Sequence, residues 1–147
     1  MGASPYHYFV PVQQNVQAAL DALRERELRA GRYNPVMRFP PFGDAAAAKT
    51  RRPLHASIED AQDDAAEDGT RSILDIARIG PTRSLGVAAP LSPAECMAFF
   101  GTLRPTRQQV LESHELYESV QRGTCIYATI YEWDVATELF FLGYSFD

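Results

Sequence analysis

This chain is poor in the residue types that most often carry catalysis or bind metals. Its 147 residues include only two cysteines and three histidines, and it has no CxxC pair. Cys96 and Cys125 fall in different predicted elements, so we expect two small buried residues and no disulfide framework. No segment approaches the roughly 18 apolar residues of a membrane-spanning helix. The opening MGASPYHYFVPV lacks the cationic start of a secretory signal, so we expect a cytoplasmic protein without membrane contact.

Positive charge is also scarce, with 14 Lys and Arg against 19 Asp and Glu and a formal net charge of -5. Phosphate neutralisation needs a surplus of basic residues on one face, so the balance argues against nucleic-acid binding. There is no Gly-rich phosphate loop, no GxSxG and no catalytic Cys–His spacing, and we therefore predict no cofactor. The 46% hydrophobic content suffices for the core of one domain, covering residues 1–147.

Local signals predict the elements of the N-terminal half. Residues 6–12, YHYFVPV, are aromatic and β-branched and predict a short strand at a sheet edge. Asn15 is placed to cap a helix that stops at Gly31. The Pro-rich residues 32–56 follow without clean periodicity and predict a long loop.

The remaining elements are predicted from capping boxes and apolar runs. Ser57 opens a helix to about Asp68, Ser92 opens one to Gly101, and Thr106 opens one to about Arg122. The predicted strands are RSILDIARI (71–79), SLGVAAP (84–90), TCIYATIYEW (124–133) and TELFFLGYSFD (137–147), the last two forming a hairpin across Asp134–Ala136. Residues 71–79 are expected to be the best central strand.

This order of elements predicts an α+β fold. We expect a mainly antiparallel sheet with a C-terminal β-hairpin and about four helices packed on one face. The hairpin strands are apolar on both sides, however, which indicates that they are central or covered on both faces.

The long loop is the first candidate interaction surface. It carries large apolar side chains among its prolines, namely Tyr33, Met37, Phe39 and Phe42. Aromatic residues and Met are enriched at interface cores, so these could contact a partner protein or a second copy. They could equally fold back and fill the domain's own core.

The segment HELYE, residues 114–118, comes one residue short of a zinc signature. Zinc chemistry on one helix needs two ligands four apart and a third from elsewhere, and here Glu118 stands where the second His is expected. His114 is a candidate catalytic or ligating residue, but nothing in the spacing of His7 or His55 supplies a third ligand. We therefore predict that the chain binds no metal.

One carboxylate interrupts the apolar stripe of the first helix. The stripe of Val16, Leu20 and Leu23 calls for an apolar residue at position 27, where the chain has Glu27. A buried carboxylate could act as an acid or base; alternatively Glu27 is solvated or pairs with Arg32.

The function classes follow from these features. We favour a non-enzymatic binding or accessory protein of a bacterial regulatory type, working through protein–protein contacts at the loop or at a sheet edge. The alternative is a small-molecule enzyme or anionic-ligand binder, in which Glu27 and His7 act in a cleft. In that case three arginines would hold the ligand: Arg32, Arg71 and Arg83.

Overall fold

The computed structural model describes residues 3–37 and 54–146, which form a mixed α+β fold. The strands in these ranges are β1 Pro5–Pro11, β2 Arg78–Ile79, β3 Val87–Pro90, β4 Cys125–Glu132 and β5 Val135–Tyr144. The α-helices are α1 Val16–Ala30, α2 Ile58–Ala65, α3 Pro93–Phe100, α4 Arg107–Glu112 and α5 His114–Ser119, with short 3₁₀ turns at Ala66–Asp68 and Ile73–Asp75. No helix within the described ranges is long and apolar enough to cross a membrane.

The five strands form one mixed sheet in the order β1-β5-β4-β3-β2. Strand β5 is antiparallel to both of its neighbours, β1 and β4, whereas β3 is parallel to both of its neighbours, β4 and β2. The expectation of a mainly antiparallel sheet was therefore wrong, because β4 follows β3 through the helical crossover of α3, α4 and α5 and not through a hairpin turn.

Both faces of the sheet are covered, so the expectation of helices on one face was also wrong. On one face, α1 and the turn at 73–75 pack against Tyr6, Tyr8, Val10 and Phe141. On the other face, α3, α4 and α5 pack against strand residues that include Ile126, Ile130, Phe140 and Leu142. The predicted hairpin is present as β4 and β5, and its two strands lie in the interior of the sheet.

The capping signals of the sequence operate in the structure. Asn15 accepts a hydrogen bond from the backbone of Ala18 at the start of α1, and Gly31 ends that helix in the left-handed conformation. Ser92 and Thr106 form complete capping boxes with Glu95 and Gln109. These ends are determined by side chains within four residues, which is why they could be predicted.

The segment predicted as the best central strand, residues 71–79, is not a strand over most of its length: Ile73–Asp75 form a 3₁₀ turn flanked by irregular backbone. Ser72 accepts a hydrogen bond from the backbone of Leu74, and the Asp75 carboxylate accepts the backbone N–H of Thr70 at 3.0 Å. These local bonds curl the chain, and only Arg78–Ile79 remains extended, at an edge of the sheet. The apolar side chains of this segment are buried by a turn and not by a strand.

The helix predicted from Thr106 to about Arg122 is two short helices. Ser113 is both the C-cap of α4 and the N-cap of α5, and its hydroxyl accepts a hydrogen bond from the backbone of Leu116. The second helix ends at Ser119. The side chain of Ser113 competes with the helical bond, which breaks the continuous periodicity that the sequence suggested.

Candidate functional site

Glu27 is buried, with 2% of its surface exposed, and it is fully paired. Its carboxylate accepts hydrogen bonds from Arg32 at 2.9 and 2.5 Å and from Arg26 at 3.1 Å. The bonds to Glu27 also raise the pKa of Arg32. Two guanidinium groups occupy the lone pairs that a general base would need, so this arrangement suits structural pairing better than proton transfer.

His7 lies on the opposite face of the sheet from Glu27. Its ring contacts Phe9 and Phe140, with ring centroids 5.9 and 6.0 Å apart, whereas Tyr8 points toward α1 and Glu27. Neighbouring residues on a strand point to opposite faces, so His7 and Glu27 cannot line one cleft. Burial lowers the pKa of His7, which favours its neutral form.

The three candidate ligand-binding arginines are not brought together. Arg32 belongs to the Glu27 pair, while Arg83 donates to Glu95 at 2.5 Å and to the backbone oxygen of Ser119 at 2.8 Å. Arg83 thereby joins the start of α3 to the end of α5. Arg71 has a left-handed backbone, with φ 53°, and its N–H bonds to the Asp75 carboxylate.

His114 is the exposed first residue of α5, and Glu118 is exposed one turn later. Among residues 3–37 and 54–146, no group of three or more His, Cys, Asp and Glu side chains is placed to hold a metal ion. The absence of metal binding stays a prediction, but the geometry brings no third ligand to this pair.

Part of the proposed interaction loop lies in the core. Tyr33 and Met37 are buried, and Tyr33 packs in a cluster between α1 and α2. The Tyr33 hydroxyl contacts Nδ1 of His55 at 2.9 Å, and Nε2 of His55 contacts the Asp64 carboxylate at 2.9 Å. These two apolar side chains therefore contribute to the domain's own core. Phe39 and Phe42 lie outside the described residues.

Both sheet edges are protected against pairing with another strand. Val12 donates its N–H to β5, so the backbone N–H groups of even-numbered residues in β1 point toward β5. The backbone N–H groups of odd-numbered residues in β1 point outward, away from the sheet. Pro5 and Pro11 have no N–H to offer, which leaves only His7 and Phe9 as outward donors. Prolines at these positions are a recognised defence of edge strands.

The opposite edge is closed by a side chain. β2 has only two residues, and the N–H of Ile79 donates to the Gln17 side-chain oxygen of α1 at 2.8 Å. A partner strand would have to displace this bond to pair with β2. A partner protein that added a strand to this sheet would therefore find few free backbone groups at either edge.

The most unusual exposed side chain is Trp133, at the tip of the β4–β5 hairpin. Trp133 and Asp134 form the two-residue turn with φ 51° and 61°, the double left-handed geometry of a type I′ turn. That turn strongly favours Asn-Gly, and a bulky residue at positive φ is a conformational outlier. Trp133 is nevertheless 93% exposed, so no packing within the described residues compensates for its backbone.

A groove of about 540 Å³ lies beside the tip. Its lining comes from the start of α4, the end of β4 and the start of β5: Thr106, Arg107, Gln108, Ile130, Tyr131, Glu132, Trp133, Thr137 and Glu138. Val135, which follows the turn, is also exposed. An indole, a half-buried Tyr and a nearby Val make this end of the hairpin an apolar surface with polar groups at its rim.

Arg107 connects the elements that form one wall of the groove. Its guanidinium donates to both carboxylate oxygens of Glu138, at 2.6 and 2.5 Å, and lies 4.3 Å from the centre of the Phe9 ring. The bond to Arg107 lowers the pKa of Glu138. This bidentate pair links α4 to β5, and the contact with Phe9 links α4 to β1.

No protein-family model matches this chain, and neither curated proteins nor solved structures show a significant match to it.

Trp133 was not among the predicted site residues, because the turn was predicted at Asp134–Ala136, one residue too late. A signal was available in the sequence EWDV, where a tryptophan stands directly before an Asp between two strands. No local sequence pattern predicted that the indole of Trp133 would be exposed.

Proposed function

We propose that this chain is a non-enzymatic binding or accessory protein that contacts a partner protein through the tip of the β4–β5 hairpin. The observation that carries the proposal is Trp133, almost fully exposed and held at positive φ. An unfavourable backbone that nothing in the fold repays is more typical of a functional position than of a structural one. Tryptophan is also among the residues most enriched at binding hot spots.

The base of the hairpin suits this role. β4 and β5 are interior strands of the sheet, with helices on both faces, so the tip projects from the centre of the sheet. A backbone held by such strands has little conformational entropy to lose on binding, which favours affinity. Because the sheet edges offer few free backbone donors, side-chain contact at the tip is the better-supported mode of partner binding. The partner could be another protein or a second copy, and we expect a cytoplasmic setting.

The small-molecule alternative has less support. Glu27 is saturated by Arg26 and Arg32, and His7 lies beyond the sheet. The groove at the tip is open and lacks a nucleophile with an adjacent base. We therefore keep the enzyme reading only as a competing hypothesis.

The test compares wild type with Trp133→Asn, a residue that accepts positive φ, and with Leu85→Ser as a matched control. Leu85 is also a large exposed apolar residue, at 69%, but it lies beside Gly123, just before β4 begins and therefore at the opposite end of that strand from the tip. Quantitative affinity capture from the source cells should lose its partners with Trp133→Asn and keep them with Leu85→Ser. Light scattering of the three proteins at increasing concentration separates self-association from binding another protein. Identical partners and identical masses for all three would refute the proposal.

A further inference from the structure

The charges at the hairpin tip indicate the chemistry of the segment that binds there. Glu132 and Asp134 flank Trp133 in sequence, and both carboxylates are exposed and form no ion pair with the described residues. Two cations lie at this surface. Arg107 pairs with Glu138, lies over the Phe9 ring and also interacts electrostatically with Glu132. Arg104 lies over the Tyr131 ring. Glu132, Asp134 and Glu138 together outnumber these two guanidinium groups, so the tip offers an apolar face with a net negative charge.

We propose that the occupant of this tip is a basic segment of a partner protein, which lays an Arg or Lys side chain against the Trp133 indole between Glu132 and Asp134. This inference rests on the proposed function, because it assumes that the tip is the contact. Among aromatic rings, the indole face attracts a cation most strongly. The aliphatic stem of Arg or Lys can cover apolar surface in the groove while its charged end reaches a carboxylate.

The same features disfavour other occupants. An acidic segment would meet two like charges, and juxtaposed like charges oppose binding. An extended segment adding to the sheet would need free backbone donors, which Pro5 and Pro11 reduce to two at the β1 edge and the Gln17 side chain occupies at the β2 edge. A purely apolar segment would fill the groove but would leave Glu132 and Asp134 partly desolvated without a counter-charge.

Trp133 provides its own readout, because it is the only tryptophan of the chain. The experiment titrates the intact protein with three short synthetic peptides that differ at one pair of positions: arginine, norleucine or glutamate. The arginine peptide should change the Trp133 emission saturably and protect it from acrylamide quenching. Raising the ionic strength from about 0.1 M to 1 M should weaken this binding, because exposed charges are screened over shorter distances.

The matched variants are Glu132→Gln and Asp134→Asn, which keep size and polarity and remove one charge each. Each should weaken the arginine peptide by about two- to five-fold, the effect of one exposed charge pair. Glu112→Gln, an exposed carboxylate outside the groove at the end of α4, should leave the affinity unchanged. Equal melting curves establish that all three variants are folded.

Other results would overturn the inference. If the norleucine or glutamate peptide binds as tightly as the arginine peptide, the tip does not recognise positive charge. If the arginine peptide binds but Glu132→Gln and Asp134→Asn have no effect, the cation binds elsewhere. If none of the three peptides perturbs Trp133, the inference also fails. The proposed function fails separately, when Trp133→Asn retains every partner of the wild type.

Discussion

The carboxylate of Glu27 and the guanidinium of Arg32 form a bidentate pair at the C-terminal end of α1, with oxygen–nitrogen distances of 2.9 and 2.5 Å. Glu27 occupies a position on the apolar stripe of the helix, where a lone carboxylate would be costly. Arg32 follows directly after the Gly31 cap, and its backbone N–H also bonds to the carbonyl of Glu27. The helix end and its buried charge are therefore stabilised by the same residue.

Removing the charge of Glu27 should destabilise the fold much more than removing an exposed one. Glu27→Gln should lower the free energy of unfolding by about 2 kcal/mol, because buried hydrogen bonds to charged groups are lost. The matched control is Glu25→Gln on the same helix, whose pair with Arg29 is exposed and should contribute below about 0.5 kcal/mol. Urea denaturation measures both. Equal losses would show that the buried pair has no special weight.

Gly143 should tolerate no side chain while Tyr6 is present. The two residues are paired across β1 and β5, and a Cβ added to Gly143 would lie 2.5 Å from the Tyr6 hydroxyl oxygen. Gly143→Ala should lower stability by about 1–3 kcal/mol, as overpacking usually does. In a Tyr6→Val background the same change should cost much less, and a double-mutant cycle measures this coupling. Additive losses would contradict the predicted contact.

The hairpin turn should become more stable when its exposed indole is removed. Trp133→Asn combined with Asp134→Gly places the preferred residues in a type I′ turn, and we expect a gain of about 1 kcal/mol in the free energy of unfolding. Trp133→Ala should not give this gain, because alanine also disfavours positive φ. Thermal and urea unfolding compare the two variants. A loss of stability in the double variant would mean that Trp133 supports the fold.

The lowered pKa of His7 predicts a specific acid response. The fold favours neutral His7, so its contribution is complete above the unfolded pKa of about 6.5 and declines as the pH falls from there toward the lower folded value. His7→Gln removes this titration and should flatten the loss of stability between about pH 7 and pH 5. The comparison is urea midpoints across that range, and parallel pH profiles would contradict the assignment. The effect should be modest, since His7 is partly exposed.

The hydroxyl of Tyr33 should contribute measurably to the cluster between α1 and α2. It contacts Nδ1 of His55 at 2.9 Å and accepts the backbone N–H of His55 at 3.2 Å. Tyr33→Phe leaves both groups without this partner and should cost about 1–2 kcal/mol. Tyr127→Phe is the control, because that hydroxyl makes no hydrogen bond with the described residues. If both variants unfold at the same urea concentration, the Tyr33 bonds are not stabilising.

Elements with local determinants were predictable from the sequence. Asn15, Ser92 and Thr106 each bond a backbone group a few residues away, and those helix starts lie where the capping pattern placed them. The hairpin of β4 and β5 was predictable because side chains on both faces are apolar. In each case the deciding signal is an interaction close in sequence or a continuous apolar run.

Features that depend on distant contacts were not predictable in this way. In the sequence, the apolar residues Ile73 and Ile76 resemble those of a buried central strand. In the structure, the hydrogen bonds of Ser72 and Asp75 fold this segment into a turn instead. The parallel pairing of β3 with β4 has no local signature. For the site, the periodicity of α1 pointed to Glu27, but the separation of His7 by the sheet and the exposure of Trp133 required three-dimensional coordinates.

The position of β5 has a consequence for the order of events during synthesis. Among the described strands, β1 pairs with β5 alone, although residues 12–134 lie between them in the chain. On the ribosome, the first strand must therefore wait until the last strand has emerged, with its aromatic side chains unpaired in the nascent chain. Such waiting segments are vulnerable to pairing with other chains. Pro5 and Pro11 then protect the nascent chain as much as they protect the finished protein.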